Sequence, residues 1–205
     1  MEMKGTFQQD QLAGCVDARW VRAYFELSHL KQLYRQGWLK RGISTQRCES
    51  VADHSFATAL LAHWLARAEF PELDAERVLQ MALMHDLGEI YVGDLIPQDQ
   101  IDSRSKYEQE QQAVTQIFDN LPEGNAYILL WEEFEAAISP EARFVRQLDR
   151  LEMALQACLY EHQGETGLQE FFDSADLAVS DLRLRRIFDT LLSCRANNDV
   201  GSALE

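Results

Sequence analysis

The sequence has few basic residues for its length. Only 19 lysines and arginines stand against 34 aspartates and glutamates among 205 residues, which gives a formal net charge of -15. Most of the surface of such a chain repels a polyanion, so a nucleic-acid polymer is excluded as a partner. The net charge does not exclude a small phosphate ester as a ligand, because a cation and a few local basic side chains can reverse the electrostatic potential within one site.

Long apolar runs and paired cysteines are also missing. No apolar stretch approaches the roughly 20 residues that cross a bilayer, so we expect a soluble protein with no membrane partner. The N-terminus shows no charged start followed by an apolar run, as a secretory signal would. The four cysteines form no C-x-x-C pair and no disulfide framework, which favours a cytoplasmic location. They are Cys15, Cys48, Cys158 and Cys194.

Alternating patterns typical of strands are scarce, whereas helical periodicity is found along most of the chain. Hydrophobic residues make up 46% and charged residues 26%, as in ordinary globular proteins. The chain is long enough for one domain with its own core, and no repeat or linker divides it. We therefore predict an all-α fold with a single domain over 1–205. Periodicity and capping signals predict a loop over 37–49 and helices at about 17–34, 51–68, from 74 to near the glycines at 88 and 93, 103–120, 125–137, 140–162, 167–178 and 181–195.

The second of these helices carries a histidine on its apolar face. Ser50 followed three residues later by Asp53 resembles a capping box, which predicts a helix start at Val51. His54 then falls on the apolar stripe of this helix, whereas His63 is nine positions further on and points roughly the opposite way. Only His54 is expected to face an interior site.

Three further candidate ligands lie on or next to the apolar faces of predicted helices. His85 shares a face with Val78 and Ala82 in the third predicted helix. Asp86, the next residue, diverges from His85 by about 100° on a helix, so both reach one ion only if it lies to the side. Asp149 lies on a line with Val145 and Met153, so its carboxylate needs either a cation or an arginine as partner. Two imidazoles and two carboxylates are enough to bind a divalent cation, and a bound cation of that kind can activate water. Taken singly, each residue is more often structural.

These residues follow the order His, His-Asp, Asp, and the sequence around them resembles the HD-domain metal-dependent phosphohydrolases. The resemblance covers about residues 25–165, leaves the helices at about 167–195 outside it, and is nearest to the branch that contains 5′-deoxynucleotidases. The matching stretches are ESVADHS (49–55), HDLGE (85–89), GDLIP (93–97) and QLDRLEM (147–153). The resemblance implies a single HD-domain helical bundle that hydrolyses (deoxy)nucleoside 5′-monophosphates to nucleoside and phosphate.

The resemblance also implies roles for individual residues. It makes His54, His85, Asp86 and Asp149 the ligands of one divalent metal ion, since no further histidine lies between Asp86 and Asp149. The ligand types accept Mn, Co, Fe, Ni or Zn without choosing among them. Glu89 and Asp94 are the candidate catalytic residues, with Glu89 as general acid or base, and Asp94 also matches a position associated with the sugar hydroxyl.

The expected substrate contacts come from basic and aromatic side chains near these motifs. Arg47 is the first candidate for the phosphate oxygens, ahead of Lys106, Lys40 and Arg41. Trp38 is a candidate aromatic wall for the sugar or base, with a place in the core as its alternative. Bacterial 5′-deoxynucleotidases tend to have arginine directly before this tryptophan, but here Gly37 precedes it and Arg35 comes two positions earlier. If that arginine helps to exclude ribose, a glycine at position 37 weakens the expectation that this protein prefers deoxyribose over ribose.

Two other functions fit parts of the pattern. Another HD phosphohydrolase, acting on nucleoside triphosphates or alarmones, would use the same metal ligands. A non-catalytic helical binding module would keep the metal as a structural clamp, but would have no use for Glu89. The resemblance also suggests a homodimer, for which the amphipathic C-terminal segments are candidates, unless their apolar residues complete the core. These apolar residues are Phe171, Phe172, Ile187 and Leu191.

Overall fold

The computed structural model describes residues 3–4, 19–95, 101–119 and 121–202 of the protein, with side chains as far as 196. The fold of this part of the chain is all-α, as predicted, and its β-structure is limited to two isolated bridges, Met3 with Leu33 and Tyr34 with Ser50. No helix in it is long and apolar enough to span a membrane. The helices are α1 (Arg19–Leu27), a 3₁₀ helix (Ser28–Lys31), α2 (Gln36–Lys40), α3 (Val51–Glu69), α4 (Ala75–Met84), α5 (Glu89–Val92), α6 (Ser103–Phe118), α7 (Gly124–Ala136), α8 (Pro140–His162), α9 (Gln169–Ala178) and α10 (Leu182–Ser202).

The contacts divide the protein into two compact units. The first unit takes its described residues from Met1–Phe56 and Leu83–Ala136, and the second from Ala57–Ala82 and Ala137–Glu205. The single domain expected from the sequence stays a prediction.

The first unit is assembled around α6, which packs against α1, α5 and α7. Its core contains two tryptophans, Trp38 and Trp131, that are each only 1% exposed. The Trp131 ring stacks on Tyr107 of α6 at a centroid distance of 5.6 Å. This packing holds α7 against α6, and α6 in turn against the short α5.

The second unit is assembled around α8, which packs against α9 and α10. Ser139 caps α8 by accepting a hydrogen bond from the Ala142 amide at 3.0 Å, and Pro140 stands in its first turn, as predicted. The Phe70 and Phe144 rings lie 4.6 Å apart, and the Arg183 guanidinium lies 3.6 Å above the Phe70 ring.

The helices expected at 51–68, 103–120, 125–137, 140–162 and 167–178 are confirmed to within a few residues, and the one expected at 181–195 continues to Ser202. Three local expectations are wrong. The first predicted helix ends as α1 at Leu27 and continues as a 3₁₀ turn. The predicted loop 37–49 contains most of α2. The third predicted helix ends at Met84 as α4, so His85 lies in a turn instead of on a helix.

Candidate metal centre and active site

The start of α3 positions His54. The Ser50 amide donates to Asp53 Oδ2 at 2.8 Å, and the Asp53 amide donates to Ser50 Oγ at 3.2 Å. This reciprocal pair is the predicted capping box, and it satisfies backbone donors that the first helical turn leaves open. His54 follows in that first turn and is 0% exposed.

The turn after α4 brings His85 to His54. The two Nε2 atoms are 3.3 Å apart, and the rings meet edge to face with centroids 5.3 Å apart. On the other side, the Trp131 indole donates to the His85 carbonyl at 3.2 Å. That hydrogen bond takes up a carbonyl near the end of α4 and fixes the backbone of the turn.

The same turn also directs Asp86 toward both histidines. Asp86 Oδ2 lies 3.3 Å from His85 Nε2 and 3.7 Å from His54 Nε2. On a regular helix the side chains of consecutive residues diverge by about 100°, but the end of α4 at Met84 removes this restriction. Asp86 therefore lies close to both histidines within the first unit.

These three donors fit a divalent metal ion. A cation with bonds of about 2.0–2.1 Å to nitrogen separates neighbouring ligand atoms by about 2.9–3.4 Å. The 3.3 Å separations in this cluster match that spacing, and the 3.7 Å separation is slightly longer. Two imidazoles with a carboxylate are also a donor set that transition metals prefer.

Arg35, which sequence reasoning did not place in the site, lies among three carboxylates. Its Nη1 donates to Asp94 Oδ1 at 2.8 Å and lies 3.5 Å from Asp86 Oδ2 and 4.0 Å from Glu89 Oε1. A backbone hydrogen bond from Arg35 to the Glu49 carbonyl, 3.1 Å long, holds it beside the start of α3. Arg35 reaches the site although Gln36 and Gly37 separate it from Trp38 in the sequence.

Asp94 is therefore held from two directions. Besides the Arg35 guanidinium, the backbone amide of Gln36 donates a short hydrogen bond to Asp94 Oδ2. The side chain is only 6% exposed. A carboxylate with charge-assisted hydrogen bonds of this kind has a fixed orientation and keeps acceptor sites for a hydroxyl group.

Glu89 begins α5 and is buried in the same cluster. Burial, together with the negative charges of Asp86 and Asp94, raises the pKa of Glu89 well above its ordinary value, although Arg35 and Lys106 act in the opposite direction. A carboxyl group with a raised pKa can carry a proton near neutral pH, as a general acid requires.

The other expected substrate contacts differ in their surroundings. Trp38 lies on α2 and its indole donates to Glu49 at 2.7 Å, so its burial favours the core alternative. Arg47 is exposed in the segment before α3. Lys106 of α6 is half-buried, with its Nζ 3.4 Å from Glu110 Oε1. None of these positions tests a contact with substrate, and all three assignments stay predictions.

Glu49 is a second residue that sequence reasoning missed as a possible ligand. Its carboxylate offers an oxygen within 4.8 Å of a His54 nitrogen. Glu49 immediately precedes the capping serine and has no helical register of its own, so no spacing signal identifies it. The backbone pairing of Tyr34 with Ser50 brings it close to Trp38 and Arg35.

Asp149 belongs to α8 in the second unit. Its neighbours along the helix face, Val145 and Met153, are 0% and 7% exposed, which confirms the predicted apolar line. The Asp149 side chain is 14% exposed, and Arg150 Nε lies 3.6 Å from its Oδ2. Arg150 itself is 46% exposed, so this contact is well solvated on the arginine side. The place of Asp149 in a ligand set stays a prediction.

A family model described as HD domain matches residues 27–186 of this chain. Among curated proteins, the chain is 37% identical over 183 residues to the human 5′-deoxynucleotidase HDDC2, an alignment that covers 87% of both chains. It is 38% identical over 157 residues to the protein of the same name from Dictyostelium discoideum, covering 71% of this chain and 82% of that one.

Solved structures with the same fold include two from prokaryotes. A conserved hypothetical protein from Pyrococcus furiosus matches with a TM-score of 0.71 and 32% identity, covering 84% of this chain and 99% of the other. A predicted metal-dependent phosphohydrolase from Magnetospirillum magnetotacticum matches with a TM-score of 0.66 and 29% identity, covering 88% and 92%.

Proposed function

This chain belongs to the HD-domain family, and on that premise we propose that it is a metal-dependent 5′-deoxynucleotidase. It hydrolyses (deoxy)nucleoside 5′-monophosphates to the nucleoside and inorganic phosphate. The observation that carries this proposal is the cluster of His54, His85 and Asp86 directly beside Glu89, Asp94 and Arg35. Relatives that align with most of this chain are named 5′-deoxynucleotidases.

In this proposal one divalent ion is held by His54, His85, Asp86 and Asp149. The first three ligands rest on their mutual distances, and Asp149 rests on the family order of residues and on its place in the apolar face of α8. The ion, when bound, supplies a positive charge that lowers the pKa of water and stabilises phosphoryl oxygens. The ligand types fit Mn, Co, Fe, Ni or Zn, so the identity of the metal is left to experiment.

Glu89 is the proposed general acid. Burial and nearby carboxylates raise its pKa, which favours the protonated form that a general acid needs in order to give a proton to the leaving 5′ oxygen of the nucleoside. After the nucleoside has left, the negative charge on Glu89 is repelled by Asp86 and Asp94, so the carboxylate takes up a proton from solvent. This cycle requires no change in the fold.

Asp94 and the basic side chains are the proposed substrate-binding groups. Asp94, oriented by Arg35 and the Gln36 amide, accepts a hydrogen bond from a sugar hydroxyl. Arg35 and Lys106 supply positive charge for the phosphate oxygens in an otherwise acidic chain. Arg47 remains a candidate for the same role, and Trp38 acts mainly by supporting the backbone around it.

Two further expectations belong to this proposal. A cytoplasmic location rests on the cysteine pattern, and a homodimer rests on resemblance. For the dimer, the C-terminal helices are a weaker candidate than the sequence suggested, because Phe171, Phe172 and Leu191 are 8%, 1% and 8% exposed. Their burial favours the alternative that they complete the core of the second unit.

The deciding experiment is a phosphate-release panel of deoxyribo- and ribonucleoside monophosphates, each with several divalent metals and with a chelator. Asp149→Asn keeps the shape of the side chain and is expected to abolish turnover, whereas Asp173→Asn on the exposed face of α9 is the matched control. The absence of phosphate release from every monophosphate in metal-replete protein would remove the proposal. Release of pyrophosphate or triphosphate from nucleoside triphosphates would favour the other HD phosphohydrolases.

A further inference from the structure

Glu110 of α6 is a buried carboxylate that the proposed reaction does not use. Its side chain is only 8% exposed, and it lies where α6 packs on α5. A Cβ added to Gly88 would meet Glu110 Cβ at 2.6 Å and Glu110 Cα at 3.1 Å. The glycine therefore allows α6 to approach the backbone between Asp86 and Glu89 more closely than any other residue would.

One helical turn before Glu110, Lys106 extends toward the same cluster. Its Nζ lies 3.4 Å from Glu110 Oε1, and its side chain is 38% exposed. Burial lowers the pKa of Lys106, but the negative charges of Glu110, Glu89 and Asp86 outweigh this effect and raise the pKa above its ordinary value. The ammonium group thus keeps its charge and lies near the acidic residues of the site.

Packing alone does not explain a carboxylate at position 110. A leucine or methionine of similar size would fill the space against Gly88 without the cost of removing a charge from water. That cost is visible in the pKa of Glu110, which burial raises to about 7 against the lowering effect of Lys106, with Glu135 and Asp86 raising it further. A buried carboxylate that lowers stability is expected where it contributes to function.

We propose that Glu110 is a positioning residue that holds the Lys106 ammonium at the site, ready for the phosphate group of the substrate. This inference rests on the proposed function and adds a specific role to it. A lysine side chain that is not held samples many rotamers, and its full rotamer entropy corresponds to about thirtyfold in a binding constant. Pairing with Glu110, which is itself fixed against Gly88, removes part of that entropy before substrate arrives.

The test compares Glu110→Gln with the wild type as full-length, metal-loaded proteins at pH 8, above the Glu110 pKa of about 7, so that the carboxylate is ionised. Glutamine keeps the packing against Gly88 and removes the charge. We expect KM for a deoxynucleoside monophosphate to rise by about three- to thirtyfold with a much smaller change in kcat, and the affinity for inorganic phosphate to fall by a similar factor. An unchanged KM would overturn the inference, as would a lower KM, because Glu110 would then only repel the phosphate.

A double-mutant cycle shows whether Glu110 acts through Lys106. Lys106→Met removes the ammonium, and in that background Glu110→Gln is expected to have no further effect on KM. Additive losses would overturn the inference. Glu108→Gln, an exposed carboxylate on the same helix, is the matched control, and thermal unfolding identifies variants that lose their fold.

Inorganic phosphate binding separates this inference from the proposed function. If the wild type releases no phosphate from any monophosphate, the proposed function fails, but calorimetric titration with inorganic phosphate still compares the four proteins of the cycle. Weaker phosphate binding in Glu110→Gln, absent in the Lys106→Met background, supports the positioning role. Equal phosphate binding in the wild type and Glu110→Gln overturns it.

Discussion

Replacing Arg35 with methionine removes a positive charge that contacts all three carboxyl groups, those of Asp86, Glu89 and Asp94, at 2.8–4.0 Å. The arginine is 12% exposed and the carboxylates 6–16%, so solvent screens these contacts only weakly. Each of the two contacts with Asp86 and Asp94 corresponds to about 5–6 kcal/mol of Coulomb energy at an effective dielectric constant of about 20, most of which is offset by desolvation. Removing one partner of a buried ion pair costs about 3–5 kcal/mol. For 205 residues this loss lowers Tm by about 6–20 °C.

A bound metal changes this cost in a defined direction. A divalent cation at His54, His85 and Asp86 supplies positive charge to the same carboxylates, so Arg35 contributes less to stability when the metal is present. We therefore expect Arg35→Met to destabilise the chelator-treated protein by at least about 1 kcal/mol more than the metal-replete protein, the low end of typical coupling free energies. By linkage, the variant binds the metal more tightly than the wild type does.

Urea unfolding with chelator and with Mn²⁺ measures both effects. Arg104→Met is the matched control, because Arg104 is 85% exposed and pairs with Glu108 on the surface of α6 at 2.8 Å. It is expected to cost less than about 0.5 kcal/mol in either condition. Equal destabilisation of Arg35→Met with and without metal would refute the electrostatic link between the arginine and the metal centre.

Ser50→Ala removes the capping box of α3 and is expected to lower the free energy of unfolding by about 1 kcal/mol, measured by urea denaturation; an effect no larger than that of an exposed Ser→Ala change would contradict it. Because the pKa of Glu110 is raised from 4.5 to about 7, its contribution to stability is complete below pH 4.5 and is lost as the pH rises through 7. Relative to Glu110→Gln, the wild type should therefore lose up to about 3 kcal/mol between pH 4.5 and 8, and a difference that is constant with pH would be inconsistent with this. Burial raises the pKa of Cys48 to about 12, so maleimide labelling at pH 8 followed by peptide mass spectrometry should modify the exposed Cys194 well before Cys48; similar labelling rates would argue against the buried thiol.

Much of the helical structure could be predicted because its signals are local. The Ser50 and Asp53 pair starts α3, and Ser139 with Pro140 starts α8, through contacts between residues three positions apart. The prediction of secondary structure failed at the short helix α2, where tertiary packing outweighs local sequence preference. A loop was expected from Gly37 onward, but Trp38 is buried in α2, and its packing outweighs the low helix propensity of one glycine.

Two of the four predicted metal ligands could be identified from helical periodicity. His54 and Asp149 fall on apolar helix faces, where an imidazole or a carboxylate is unusual. His85 and Asp86 were identified as a pair, but their geometry was expected to follow a helix. The end of α4 at Met84 and the hydrogen bond from Trp131 to the His85 carbonyl give that pair its actual orientation.

The order and chemical types of the residues determined by themselves that the chain forms amphipathic helices and carries imidazoles and carboxylates suited to a cation. These properties depend on spacings of three or four residues, which periodicity reveals. Only the tertiary structure decided that Arg35 lies among the acidic residues, because its contact with Asp94 joins positions 59 residues apart. It likewise decided that Glu110 lies against Gly88 and beside Lys106. Charges so distant in sequence interact only after helix packing has brought them within a few ångströms and removed the water between them.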